Sequence, residues 1–245
     1  MNENVNESSK MLSLDAAISM WQSLQTIAKP TKSGRAAGPG SDKLIVGMIV
    51  YEGFELLDTF GPLTVFGVLN EHVEIVMIGQ NPGAVKSSSG PATLIDKTFE
   101  ELDYVDILLV PGGIGCLTEV ENKPLLDYIQ KIGEKAQYVG TICTGAAIVA
   151  KTSLLDGKRA TTNKVSFGWV AAQNENIEWI KEARWVEDGK YWTSSGVSAG
   201  TDMAIAMLAR IFGEEAATIA ADMAEYEWNN DPHHDIFAKK CGLIS

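Results

Sequence analysis

Continuous apolar runs, rather than alternating ones, recur along the chain from Leu44 onward. The runs at 44–50, 73–78, 105–110 and 138–142 are mostly apolar, and segments with helical spacing of apolar residues follow them. Strands that are buried on both faces have this pattern, because helices cover the two sides of a parallel sheet. We therefore expect an α/β fold with a parallel sheet sandwiched by helices. Helices are predicted at 62–69, 123–134, 144–151, 165–172, 203–212 and 214–226, short strands at 93–95 and 159–162, and a hairpin at 183–193.

Two segments precede this predicted domain. Residues 11–28 carry apolar residues at helical spacing, which predicts a short amphipathic helix. Residues 29–42 are rich in Gly, Pro, Ser and charged residues, a composition typical of a linker. We expect a helix plus a flexible linker over residues 1–42 and one domain over residues 43–245. The pattern leaves open whether the helix packs on the domain, packs on a partner or stays mobile. Removal of residues 1–42 is expected to leave core stability largely unchanged.

Charge and cysteine content narrow the class of protein. The 245 residues include 32 acidic and 20 basic ones, for a formal net charge of −12. Such a surface repels phosphate groups and anionic lipid, so we expect neither nucleic acid nor a membrane as partner. No run of 18 apolar residues and no apolar signal core is found, which predicts no membrane span and no secretion signal. Three scattered cysteines are too few for a disulfide framework or a structural zinc site, so we expect a cytoplasmic protein without a bound metal.

Residues 138–147 carry the strongest chemical signal. The sequence Tyr-Val-Gly-Thr-Ile-Cys-Thr-Gly-Ala-Ala leads a strand into Cys143 and then into small residues that can begin a helix. A nucleophile elbow has this pattern, because its sharp strand-to-helix turn lifts the reactive side chain above the sheet. The amides of the following helix are expected to favour the thiolate. A small buried cysteine in a core turn would give the same local pattern.

Other polar or flexible residues come just after predicted strands. Gly112 and Gly113 follow one apolar run, and Asp58 follows another. Ligands of parallel α/β sheets bind beyond the carboxyl ends of the strands, so these residues and Cys143 are expected to lie at one edge of the sheet.

The chain resembles the DJ-1/PfpI (ThiJ) superfamily from about residue 44 to residue 238. The segments that carry the resemblance are Leu-Asp-Thr-Phe-Gly-Pro at 57–62, Val-Pro-Gly-Gly-Ile-Gly at 110–115, Ile-Cys-Thr-Gly-Ala at 142–146, Leu-Leu-Asp-Gly-Lys-Arg-Ala-Thr-Thr at 154–162 and Thr-Ser-Ser-Gly-Val-Ser-Ala-Gly-Thr-Asp-Met at 193–203. The resemblance implies a flavodoxin-like, class I glutamine amidotransferase-like fold with a nucleophile elbow. It also implies a homodimer and a small-molecule substrate.

Asp58 together with Cys143 and Thr144 is most similar to the isonitrile hydratase branch, whose members add water to an isonitrile to give an N-formamide without a cofactor. The resemblance implies that Cys143 is the nucleophile and Asp58 the general acid/base. Thr144 would hold Asp58 or a water molecule. The backbone amides of Gly113 and Thr144 would form an anion-stabilising pocket.

The resemblance places further residues around this centre. Gly112, Gly113 and Ile114 would line the substrate pocket, and Asn163 and Asp202 would support it from behind. Many relatives have His where this chain has Asn163, which leaves substrate specificity open.

The chemistry can also be argued from the residue types. An isocyanide carbon is electrophilic once protonated, so the reaction needs a soft nucleophile and a proton donor beside it. A carboxyl close to a thiolate is expected to have a raised pKa, because two like charges resist sharing one site. Alternatively, Asp58 is a helix N-cap before Gly61 and Pro62.

Two other functions remain open for the whole chain. One is a different DJ-1/PfpI activity, such as a glyoxalase, a deglycase or an amide hydrolase. The other is a non-enzymatic redox or ligand sensor. His72, His233 and His234 lie outside the matching motifs, which favours a Cys-Asp hydratase over a Cys-His hydrolase. Cys116 is either a simple loop residue or a resolving partner for oxidised Cys143.

Overall fold

A seven-stranded sheet forms the centre of the computed structural model, which describes residues 14–28 and 42–245. The strands of the described residues, seven of which form this sheet, are β1 (Leu44–Ile49), β2 (Val73–Gly79), β3 (Ala84–Lys86), β4 (Ala92–Leu94), β5 (Lys97–Thr98), β6 (Ile107–Val110), β7 (Tyr138–Thr141), β8 (Arg159–Ala160), β9 (Glu178–Trp179), β10 (Trp185–Asp188) and β11 (Tyr191–Ser194). The helices are α1 (Leu14–Ile27), α2 (Leu56–Gly67), α3 (Cys116–Glu119), α4 (Lys123–Lys135), α5 (Gly145–Ala150), α6 (Phe167–Ala171), α7 (Ala199–Phe212), α8 (Glu214–Met223) and α9 (Ile236–Lys240).

The order of strands in the sheet is β10-β11-β7-β6-β1-β2-β5. All neighbours are parallel except β10 and β11, which form an antiparallel hairpin at one edge. From β1 the chain first continues to β2 on one side and later to β6 and β7 on the other. This reversal opens a crevice beyond the carboxyl ends of β1 and β6.

The apolar strand pattern is explained by burial on both faces. All four residues of β6 are fully buried, and β1 is nearly so. The helices that follow these strands cover both sides of the sheet, as the α/β prediction required. The predicted flavodoxin-like fold is therefore confirmed.

Helix α2 begins earlier than its sequence suggested. It starts at Leu56 rather than at residue 62, and Pro62 lies inside it. The proline removes only the N–H that would bond to the carbonyl of Asp58, while Leu63 and Phe66 are buried in the core. The N-cap position is Glu55, and Asp58 lies in the first turn. The alternative of Asp58 as the N-cap is therefore wrong.

Helix α1 packs against α8 of the main domain. Leu24 and Ala28 are completely buried, and the Gln25 side-chain amide donates a hydrogen bond to the carbonyl of Val68 at 2.7 Å. His72 Nε2 lies 2.5 Å from the backbone oxygen of Gln25. Of the three placements left open by the sequence, packing on the domain is the one observed. The expectation that removal of residues 1–42 leaves stability unchanged stays untested, and the buried contacts of α1 lead us to expect a loss of stability instead. Most of the predicted linker lies outside the described residues.

The helices of residues 14–28 and 42–245 include none with the length and apolar character needed to cross a membrane.

Candidate functional site

Cys143 occupies a strained turn between β7 and α5. Its φ angle is +56°, a conformation that a residue other than glycine rarely adopts. The Cys143 amide donates to the carbonyl of Ser195 at 3.1 Å, and the Thr162 hydroxyl donates to the carbonyl of Cys143 at 2.8 Å. A Cβ atom at Gly145 would lie 2.3 Å from the carbonyl oxygen of Val110, so only glycine permits this turn. The predicted sharp turn is confirmed.

The sulfur of Cys143 is surrounded by hydrogen-bond donors. They are the backbone amides of Thr144 and Val197 and the side chain of Asn163, and each lowers the pKa of the thiol. Burial raises that pKa by more, and the neighbouring charge of Asp58 raises it further. The net pKa of Cys143 is therefore well above that of an ordinary thiol. The amide of Thr144 favours the thiolate, as expected for a helix amide, but burial outweighs this effect in the resting site.

Asp58 is a completely buried carboxyl group beside this thiol. One oxygen, Oδ2, accepts a hydrogen bond from the amide of Gly112 at 2.8 Å, whereas Oδ1 has no hydrogen-bond partner. Burial raises the pKa of Asp58 to about 7, and the nearby charge of Glu55 raises it too. Contacts with Gly112 and with the Cys143 side chain oppose this shift of the pKa. The contact with Cys143 is a loose one, since no hydrogen bond of ordinary geometry joins the two side chains.

Thr144 connects the elbow to the glycine loop. Its hydroxyl oxygen accepts a hydrogen bond from the amide of Gly113 at 3.1 Å and lies 3.4 Å from the sulfur of Cys116. A Cβ atom at Gly112 would lie 2.5 Å from Thr144 Oγ1 and 2.8 Å from Asp58 Oδ2. The close approach of the three segments therefore requires glycine at this position.

The predicted anion-stabilising pocket needs a correction. The amide of Gly112 is bonded to Asp58 and that of Gly113 to Thr144, so neither is available to a ligand. The amides directed at the sulfur are those of Thr144, as expected, and of Val197. Sequence reasoning missed Val197, because its loop follows β11 and lies far from Cys143 along the chain.

A cavity of about 510 Å³ opens above Cys143. This volume is in the usual range for a small-molecule site. Its lining includes the predicted Gly113 and Ile114, but Gly112 is not among the lining residues. The full lining consists of Glu55, Gly113, Ile114, Cys116, Leu117, Cys143, Thr144, Asn163, Val165, Ser166, Trp169 and Val197. Sequence analysis did not identify Glu55, Leu117, Val165 or Trp169 as site residues.

The two residues expected behind the site differ in their placement. Asn163 lies closer to Cys143 than expected, since it lines the cavity and its side chain lowers the pKa of the Cys143 thiol. Asp202 does not line the cavity. It forms a buried ion pair with Arg184 and accepts a hydrogen bond from the amide of Asn229 at 3.0 Å. Asp202 thus holds the carboxyl-terminal segment.

Cys116 is a buried wall residue rather than an exposed loop residue. It is 1% exposed, and its sulfur lies 3.1 Å from the hydroxyl of Tyr51, which itself donates to the carbonyl of Pro111 at 2.6 Å. Burial raises the pKa of Cys116 to about 11. Both thiols are therefore protonated at neutral pH, and Cys143 differs from Cys116 in its side-chain contact with Asp58.

Metal-ligating residues are not gathered at the site. Within residues 14–28 and 42–245 no group of three or more His, Cys, Asp or Glu side chains is arranged to hold a metal ion. The three histidines all lie outside the cavity lining.

Comparisons with known proteins identify the family of this chain and proteins similar to it. Residues 45–210 match the model of the DJ-1/PfpI family. An isonitrile hydratase from Pseudomonas putida is 30% identical over 75% of this chain and 78% of its own length. A deglycase from Thermococcus kodakarensis is 29% identical over 59% of this chain and 84% of its own length. The crystal structure of a ThiJ/PfpI family protein from Pseudomonas syringae superimposes with a TM-score of 0.71 and 29% identity, covering 78% of this chain and 77% of that one. The protein described here belongs to the DJ-1/PfpI family.

Proposed function

We propose that this protein hydrates isonitriles to N-formamides, with Cys143 as the nucleophile and Asp58 as the group that moves protons. The observation that carries the proposal is the buried carboxyl of Asp58, which lies beside the thiol of Cys143. Its pKa is raised to about 7. A group with this pKa is partly protonated at neutral pH and can both give and take a proton. The 30% identity to an isonitrile hydratase supports the proposal.

The first half of the reaction forms a carbon–sulfur bond. Asp58 gives its proton to the terminal carbon of the isonitrile while the sulfur of Cys143 attacks the same carbon. The thiol proton passes to Asp58, which restores its acid form. The product is a thioimidate, R–N=CH–S–Cys, in which the S–H of the enzyme has been added across the isonitrile carbon.

The second half adds water and releases the thiol. Asp58 protonates the imidate nitrogen and then takes a proton from the attacking water, so that a tetrahedral intermediate forms. The carbon–sulfur bond breaks, the hydroxyl proton returns to the sulfur through Asp58, and R–NH–CHO leaves. The sum is the addition of one water molecule to R–N≡C, with no net change in the enzyme.

The donors around the sulfur fit this sequence. The amides of Thr144 and Val197 and the side chain of Asn163 stabilise the negative charge that develops on the sulfur when its bond to carbon forms or breaks. In the resting site the raised pKa of Cys143 keeps the sulfur protonated, which supplies the proton that the first half requires.

A deglycase or Cys-His hydrolase activity is less well supported. Histidine is the commonest base for activating a thiol, and the lining of the cavity contains none among the residues that the structure describes. A carboxyl with a raised pKa takes that position instead.

The test is hydration of a panel of alkyl and aryl isocyanides, with formamide followed by chromatography. Cys143→Ala and Cys143→Ser are expected to abolish formamide production, because neither supplies a thiol. Cys241→Ser is the matched control, since Cys241 does not line the cavity. Formamide production by Cys143→Ala at the wild-type rate would contradict the proposal.

The homodimer implied by the resemblance stays a prediction. Light scattering by the purified protein measures its mass directly.

A further inference from the structure

The cavity above Cys143 has an apolar mouth and an acidic residue in its wall. Ile114, Leu117 and Val165 are exposed at its rim, and Trp169 is half-buried beside them. Among the lining residues that the structure describes, Glu55 is the only one of a type that is charged at neutral pH. Within residues 14–28 and 42–245, the lining includes no lysine or arginine that could balance the side chain of Glu55.

Glu55 is held in place at the wall. Its amide donates to the carbonyl of Gly112 at 2.8 Å, and its Oε2 accepts a hydrogen bond from the hydroxyl of Ser88 at 3.0 Å. The side chain is half-buried, so its field reaches the cavity with less screening than a fully exposed charge. Glu55 also acts on Asp58, whose pKa it raises, which places its charge close to the reacting centre.

We propose that Glu55 makes this cavity select neutral and cationic molecules and reject anionic ones. The part of this inference that concerns substrates rests on the proposed hydration: the preferred isocyanides carry an apolar body and an uncharged or positively charged tail. An anionic tail would be placed near Glu55 without a counter-charge, and like charges in a partly desolvated site repel. The formal net charge of −12 acts in the same direction at longer range.

A purely structural role for Glu55 makes a different prediction. Glu55 sits at the N-cap position of α2 without a side-chain cap hydrogen bond, and its bond to Ser88 ties the helix to the segment after β3. Glu55→Gln keeps the size of the side chain and an oxygen for Ser88 while it removes the charge. A structural role predicts that this variant behaves like the wild type toward charged reagents.

The experiment measures the rate at which Cys143 is labelled by three methanethiosulfonate reagents of similar size. Their tails are a quaternary ammonium, a hydroxyl and a sulfonate, and peptide mass spectrometry separates Cys143 from Cys116. A Cys241→Ser background removes the more accessible thiol. This readout does not depend on any enzymatic turnover. Glu52→Gln is the matched control, because Glu52 is an exposed carboxylate three positions away that does not line this cavity.

The expected order for the wild type is cationic, then neutral, then anionic. Glu55→Gln is expected to raise the rate of the anionic reagent relative to the neutral one by about three- to tenfold, less at high ionic strength. Glu52→Gln should leave that ratio unchanged. The same ratio of anionic to neutral labelling in the wild type and in Glu55→Gln would overturn the inference.

A second arm uses isocyanides with the same three kinds of tail. If they are hydrated with the same order of kcat/KM, both proposals are supported. Charge-selective labelling without hydration of any isocyanide would refute the proposed function and leave the charge selection of the cavity standing. Hydration without any dependence on Glu55 would refute the selection alone.

Discussion

Two buried aspartates, each in the first turn of a helix, occupy opposite kinds of environment. Asp58 in α2 and Asp202 in α7 are both completely buried, and burial raises the pKa of each. Asp202 faces Arg184, which donates to Oδ2 through Nε at 2.7 Å and through a second nitrogen, and Oδ1 accepts the amide of Asn229. Asp58 faces a thiol, has one backbone donor and leaves Oδ1 unpaired.

This difference predicts a structural role for Asp202 and, under the proposed function, a proton-transfer role for Asp58. A buried charge with a cationic partner and satisfied oxygens is costly to break by removing one partner. A buried carboxyl without such a partner binds one proton near neutral pH, and its unpaired oxygen is free to carry that proton. We therefore expect substitution of Asp58 to lower activity and substitution of Asp202 to lower stability.

The largest expected effect is on turnover at Asp58. Asp58→Asn is expected to lower isocyanide hydration by about 10²–10⁴-fold, because the amide cannot exchange a proton with substrate and water. The same variant should be labelled faster at Cys143 by a neutral thiol reagent above neutral pH, because the Asp58 charge raises the pKa of the thiol in the wild type. Wild-type hydration by a folded Asp58→Asn protein would remove Asp58 from the mechanism.

The second effect is on stability at Asp202. Asp202→Asn is expected to lower the free energy of unfolding by about 3–5 kcal/mol, since it leaves the buried Arg184 guanidinium without its charge partner. Urea denaturation measures this loss. A double variant, Arg184→Met with Asp202→Leu, should recover most of it, because no unpaired charge remains. A double variant as unstable as the single one would show that the ion pair is not the cause.

The third prediction concerns the pH dependence of stability at Asp58. Its pKa is raised from 3.8 to about 7 on folding, so the folded state holds the proton more tightly than the unfolded state. The stability that this proton contributes is present below the unfolded pKa and is lost as the pH rises through about 7. Relative to the wild type, Asp58→Asn should gain on the order of 2–4 kcal/mol at about pH 8 and nothing near about pH 4. Melting curves at both pH values measure the difference, and an equal offset at both would contradict the raised pKa.

The smallest effect is expected at an uncharged contact of α1, and it serves as a reference for the other three. Leu24 of α1 is completely buried, and Leu24→Ala is expected to lower the free energy of unfolding by about 2 kcal/mol with hydration unchanged. Ile18 on the same helix is 45% exposed, and Ile18→Ala is expected to stay within about 0.5 kcal/mol of the wild type. Equal stability of both variants would show that α1 is not docked in solution.

Local sequence was sufficient to predict the central strands of the sheet and the sharp turn at Cys143. A strand that is buried on both faces must be apolar throughout, so the four central strands could be recognised from their runs. The turn at Cys143 needs small residues immediately after it, because Gly145 lies against the carbonyl of Val110. Both patterns can be read from short segments of the chain, although the contact between Gly145 and Val110 that explains the glycine is tertiary.

The start of α2 and the placement of α1 were not available from local pattern. Glycine and proline at 61–62 suggested a helix start there, but the preceding turn is buried at Asp58 and Thr59, and the helix starts at Leu56. The contact between Gln25 and Val68 joins residues more than forty positions apart, with no local signal.

By itself, the sequence determined the α/β class and the residue at the elbow, since each depends on residue type and on neighbours in the chain, whereas the carboxyl group of Asp58 was expected beside Cys143 from the resemblance to the family. Only the tertiary structure decided which donors meet the sulfur, that the amides of Gly112 and Gly113 are already occupied, and that Glu55 lines the cavity. It also placed Asp58 and Asp202, two residues of the same type, in different surroundings. The reason is physical: the pKa of a carboxyl group depends on its burial and on the charges that face it, and both are set by segments that are remote in sequence.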